Sequence, residues 1–142
     1  DFSDYYPEAV WVEQVRADAA PIIEKSFPSF TVKEPYISPV YGIGADYNGT
    51  IPSYKEVDTK VSIILRFEET RSKELEAALV TELFECIQAL QQAGVKNVGI
   101  TVYLNEEEVP ERKPRTFGII LEGHDFNDIT SEQQLQQFIN II

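Results

Sequence analysis

KVSIILRFEETRSKELEAALVTELFECIQALQQAGVKNVGITVYL, running from Lys60 to Leu104, carries three periodicities in succession, and their order decides the fold. Val61, Ile63, Leu65 and Phe67 alternate with Ser62, Ile64, Arg66 and Glu68. That period of two predicts a half-buried strand, with Ile64 as its one outward apolar residue. Ser72 then offers a helix cap. Behind it Leu75, Leu79, Leu83, Cys86, Ile87 and Leu90 recur at steps of three and four residues, the buried stripe of an amphipathic helix. Gly94 supplies the left-handed stop. Val98, Ile100, Val102 and Leu104 resume the alternation as a further strand.

Working outward, Phe117, Ile119 and Leu121 predict a fourth strand. Asn105 to Arg115, between the third and fourth, is too long for a tight turn and too charged for burial, so it reads as a projecting loop. Thr130 with Gln133 has the spacing of a capping box, and Leu135, Phe138, Ile139 and Ile142 give a last helix its apolar face. Upstream, Tyr6 to Phe27 reads as a helix that Pro21 kinks or divides. Trp11, the only tryptophan, is its core anchor. The run from Phe30 to Tyr41 is β-branched and aromatic, but Pro35 and Pro39 cannot donate to a ladder and confine it to a sheet edge.

The order from the second strand onward matches five of the six elements of a βαββαβ unit, and the strand at the start can stand in for the missing last one. The chain therefore resembles a permuted ferredoxin-like fold. The expectation is a two-layer α+β sandwich, α-β-β-α-β-β-α, with a four-stranded antiparallel sheet in spatial order one, two, four, three and its helices on one face. It is read as a single domain over residues 1–142, the N-terminal helical segment 6–27 packing on the sheet domain 30–142.

Composition narrows the function. At 142 residues with 43% hydrophobic content, one core burying roughly 68–70% of the unfolded surface is enough. No apolar run approaches the roughly 18 residues of a membrane span, so direct membrane insertion by this segment is not expected. A net charge of −12 repels phosphate backbones and argues against nucleic acid as a partner. Starting at Asp1 with no Met, the chain reads as a processed mature chain or an excised domain. The lone Cys86 cannot form an internal disulfide, and its place on the apolar stripe predicts a buried, inert thiol.

Motifs for chemistry are sparse. His124 is the only histidine, no Gly-x-Ser-x-Gly is present, and Cys86 falls on a core stripe, so no catalytic residue is assigned. One histidine and one cysteine are too few for zinc, and Asp46, Asn48 and Gly49 lack the later ligands of a calcium loop, so no metal is expected. Gly42-Ile43-Gly44 lacks the third glycine of a dinucleotide fingerprint, and no other cofactor motif is seen. Asn48-Gly49-Thr50 is a sequon on a turn.

Two features suit recognition. Tyr36, Tyr41, Tyr47 and Tyr54 lie among glycines and prolines and can present amphipathic rings to a partner. The charged hairpin sets Glu106, Glu107 and Glu108 against Arg112, Lys113 and Arg115, of which the basic half would form a docking finger. The leading expectation is a non-enzymatic protein-binding or assembly module with a protein partner. It would be the soluble extracytoplasmic part of a bacterial secreted or surface-anchored protein, such as a lipoprotein. A cytoplasmic acidic inhibitor or immunity-type partner of a basic protein is the first alternative. A small hydrolase using Glu122, His124 and Asp125 is the second.

Overall fold

The computed structural model describes residues 7–33, 35–39, 50–57 and 61–142. Its elements follow in the order α1 (Pro7–Ile23), β1 (Tyr36–Pro39), a 3-10 turn (Tyr54–Glu56), β2 (Val61–Thr70), α2 (Lys73–Gln92), β3 (Val98–Asn105), β4 (Thr116–Leu121), α3 (Gly123–Asp128), α4 (Glu132–Gln136) and β5 (Ile139–Ile141). The class is α+β as the periodicities require.

Local chemistry sets the ends of α2. Ser72, in extended conformation, accepts the Leu75 N–H and closes the first turn. At the other end Gly94 sits at φ 88°, the Gly94 N–H reaches the Gln91 carbonyl and the Val95 N–H reaches that of Leu90. This paired closure needs a residue tolerant of positive φ and brings Val95 against Leu90, both buried. Leu79, Leu83, Ile87 and Leu90 are each 0% exposed, and burial of such side chains contributes roughly 1.5–3 kcal/mol apiece. They meet Val61, Ile63 and Leu65 of β2 and Val98, Ile100 and Val102 of β3 in one core, which also takes in Trp11, Val15, Ala19 and Ile23 of α1.

The sheet corrects the expected topology. It has five strands in the order β1-β2-β3-β4-β5, and it is mixed. β2 and β3 are parallel neighbours, with Val61 opposite Val98 and Ile63 opposite Ile100, while the β1–β2, β3–β4 and β4–β5 pairs are antiparallel. The permuted ferredoxin-like order would insert β4 between β2 and β3. Here α2 returns the chain to the adjacent position, and the charged hairpin lays β4 on the far side of β3. That leaves the outer edge of β4 free, and the chain's last residues fill it.

This displaces the expected final helix. α4 stops at Gln136, capped by Ser131 with Gln134 at the third helical position, one residue later than Thr130 and Gln133. Ile139 and Ile141 then face Ile119 and Phe117 across the ladder. Spacings of three, four and seven fit a helix, but Ile139 and Ile141 also satisfy the strand period, and an open edge decided between them.

One smaller expectation also changes. α1 runs unbroken through Pro21, which costs it one i→i−4 bond, and ends two residues later at Ile23, after which Lys25 and Ser26 donate in tight turns to Ile22 and Ile23. The first strand, over its described residues, is broken as its prolines allow: Val32 bridges to Phe67, and the ladder of β1 itself begins where Tyr36 pairs with Ile64. The edge position is as the prolines require.

Candidate functional site

Alternation along the strands gives the sheet two unlike faces. Val61, Ile63, Leu65 and Phe67 point to the helical layer, as do Ile100, Val102, Phe117 and Ile119, and all are buried. The helices belong to that one side. α1 and α4 contact α2, and the Gln91 side chain of α2 donates to the Phe126 and Ile129 carbonyls at 2.9 and 3.0 Å, which docks α3 beside it. The opposite face, among the described residues, has no helix over it.

On this open face stand Ser62, Ile64, Arg66 and Glu68 of β2, Thr101, Tyr103 and Asn105 of β3, and Thr116 and Ile120 of β4. Two glycines complete it. A Cβ added at Gly118 would meet the Tyr103 ring at 3.4 Å, so the ring lies across the bare glycine backbone of the neighbouring strand. A Cβ at Gly99 would come within 2.7 Å of the Ser62 hydroxyl. In a chain with 24 acidic and 12 basic residues, only Arg66 and Glu68 bring charge to these strand positions. At the end nearer the β3–β4 hairpin the face deepens into an open groove lined by Lys33, Arg66, Tyr103, Asn105, Thr116 and Ile142. Thr116 donates its hydroxyl to Asn105 there, at 2.8 Å.

The hairpin itself is cross-braced. The Glu106 carboxylate accepts from Arg112 Nη1 at 2.6 Å and from the Arg115 N–H at 2.8 Å. The Arg112 contact first, and the Arg115 amide second, hold the pKa of its carboxyl at about 2. Arg112 is thus paired within the loop. Lys113 and Arg115 are exposed beside it.

Of the four tyrosines, Tyr54 is the one whose side chain is described, and it is 2% exposed. Its ring is core, its hydroxyl donates to Asp18 at 2.8 Å, and its N–H donates to the Gln14 side chain at 3.0 Å. With the Trp11 indole donating to the Pro52 carbonyl at 2.8 Å, positions 11, 14 and 18 of one α1 face clasp the 52–54 segment. Tyr36 pairs with Ile64 through its backbone, and its ring lies outside the described residues. So do Tyr41 and Tyr47, the Asp46 to Gly49 turn, Gly42 and Gly44. Tyr103, absent from the aromatic set singled out in the sequence, is the ring on the open face. The signal for it was its outward parity in β3.

His124 stands between Glu122 and Asp125, with Nδ1 3.7 Å from one carboxylate and Nε2 3.3 Å from the other. The two carboxyl groups already serve the fold by forming the capping box of α3, in which Asp125 accepts the Glu122 N–H at 3.2 Å. The imidazole is 59% exposed on that first turn. Cys86, the one thiol, lies inside the core, where burial pushes its pKa up to about 11. The cluster therefore has three polar groups together at a solvent-facing helix end, without a thiol in reach.

Among the described residues no helix is long and apolar enough to cross a membrane. A scan against family models finds no match, and searches of curated proteins and of solved structures find none either.

Proposed function

We propose that this chain is a non-enzymatic protein-binding module that engages its partner through the helix-free face of the sheet. The observation that carries the reading is the Tyr103 ring lying over Gly118 amid Thr101, Asn105 and Thr116, on strand positions whose one carboxylate among the described residues is Glu68, in a chain of net charge −12. Interface cores are poor in charged residues and enriched in aromatic ones, and surfaces that recognise proteins through Tyr, Ser, Thr, Asn and Gly combine rigid rings with adaptable hydrogen bonding. Thr101, Tyr103, Asn105, Thr116 and Gly118 have that make-up. Lys33 and Arg66 at the groove would set the register of an incoming hydroxyl or carboxylate.

A second reading, an acidic inhibitor or immunity-type partner of a basic protein, is favoured by the helical layer. Glu74, Glu76 and Glu85 of α2, Asp125 and Asp128 of α3 and Glu132 of α4 stand against Lys73 alone on these three helices. Such a contact is driven by long-range attraction and weakens with salt.

One experiment separates the two. A photo-crosslinking side chain is placed at Thr101 on the open face or at Glu85 on α2, and adducts are compared in the source cell. The proposal expects a discrete protein adduct from Thr101 that disappears with Tyr103→Glu. Adducts from Glu85 alone would overturn it in favour of the acidic-face reading.

A further inference from the structure

We propose that β5 is a self-association edge, on which a second copy of this chain adds its own β5 antiparallel about a two-fold axis at Asn140. The backbone sets the register. Thr116 and Ile142 exchange both hydrogen bonds, at 2.9 and 3.0 Å, and the Ile120 N–H points to the Phe138 carbonyl at 3.4 Å. In an antiparallel ladder bonded residues alternate, so Phe138, Asn140 and Ile142 are turned toward β4. The N–H and C=O of Ile139 and Ile141 therefore face outward. With the axis at Asn140, Ile139 of one copy lies opposite Ile141 of the other, and four N–H···O=C bonds close symmetrically. Of the registers that keep these isoleucines on the helical side, this one pairs the four outward groups of Ile139 and Ile141 within β5 itself.

Side chains and charge agree with this pairing. Ile141 and Ile142 are 57% and 71% exposed, and the only other exposed large apolar residue among the described ones is Val109 at 38%. Ile139 and Ile141 share one face of the strand, so the two-fold sets isoleucine against isoleucine and Asn140 against Asn140. From Gln133 to Ile142 there is no charged residue, nor in β4 behind it. A chain of net charge −12 repels its own copies, and along this stretch a second copy approaches without adding acidic side chains at contact. Exposed edges are ordinarily blunted by short length, Lys, Pro or a bulge. β5 is short, but it carries no Lys, Pro or bulge.

An edge this short buries less than the roughly 1,200 Å² typical of a stable interface, which places the contact in the weak class. Sedimentation equilibrium of the chain from about 10 µM to about 1 mM tests it, a range that brackets weak dissociation constants. A monomer–dimer equilibrium is expected, and it should tighten as salt is raised, because screening relieves the repulsion between like-charged copies. Ile141→Pro removes an outward N–H without taking a bond from the β4–β5 ladder, and Ile141→Lys adds charge at the axis. Each should weaken the dimer by about tenfold or more, as edge proline and lysine do in natural sheets, with cooperative thermal unfolding retained as the control for folding. A monomer at every concentration overturns the proposal. So does a dimer that both folded variants leave unchanged.

Discussion

Tyr54→Phe isolates one hydrogen bond in a place where its loss can be measured twice. The ring stays buried at 2% exposure in the wild-type site, so the substitution removes only the hydroxyl that donates to Asp18 at 2.8 Å. A hydrogen bond to a charged group contributes about 1.5–3 kcal/mol. Asp18 is solvent-exposed and its released carboxylate rehydrates, which brings the expected cost at pH 7 to about 1–2 kcal/mol. Burial first, and the bond to and charge of Asp18 next, keep the phenol neutral well above its ordinary 10.0. The unfolded chain ionises it near 10. A raised acid constant in the fold means that the stability Tyr54 contributes is complete below about pH 10 and falls by about 1.4 kcal/mol per pH unit above it. The variant has no such proton, so the gap between the two proteins should close near pH 11, about one unit higher. Urea unfolding followed by Trp11 fluorescence reads both quantities, since Trp11 is the only tryptophan and is bonded to Pro52 in the same clasp. A gap below about 0.3 kcal/mol at pH 7, well under the range for such a bond, or one that stays flat to pH 11, would refute the reasoning.

Two further outcomes follow from the charged hairpin and the core. Glu106, held at about 2 against its ordinary 4.5, contributes stability that is present above pH 4.5 and lost as the pH falls toward 2; an NMR titration of its carboxyl should give that low midpoint, and Arg112→Gln should move it back toward 4.5, whereas an unmoved midpoint would dissociate the shift from Arg112. Cys86, 1% exposed and with its thiol pKa pushed up to about 11, should react with a thiol reagent at the rate at which the chain opens and at once in urea; prompt labelling of the folded chain would contradict its burial.

The readable parts of this fold were those decided within one element. Alternation in β2, the leucine stripe of α2, the Ser72 cap and the Gly94 stop each depend on neighbours within a few residues, and each lies where periodicity predicts. Pairing is not local. Whether β3 or β4 lies beside β2 depends on how α2 and the hairpin return the chain, and the same strand periods serve both orders. The end of the chain was ambiguous for a related reason: the spacing of Leu135, Phe138, Ile139 and Ile142 suits a helix, and only the open side of β4 makes a strand of the last residues. Tyr54 misled because turn-forming neighbours suggest exposure, while the clasp by Trp11, Gln14 and Asp18 comes from α1, 36 to 41 residues upstream of its partners. Tyr103 was overlooked among alternating strand residues because it becomes distinctive only when Gly118 is found beneath it.

The proline of β1 bears on how far any growth of the sheet could go. Pro39 lacks the N–H that a further strand would need, and proline is accommodated in a ladder where that position points away from the neighbour. Ile37 and Pro39 share that parity, which leaves Ile37 as the one outward donor of β1. A sheet extended across β5 by a two-fold would end in two such proline-blunted margins, one from each copy. Addition then stops at a closed pair, because the operator that joins the permissive edges uses both of them up. A chain with unguarded strands at both margins would propagate into a fibre; this one has a terminator at one side.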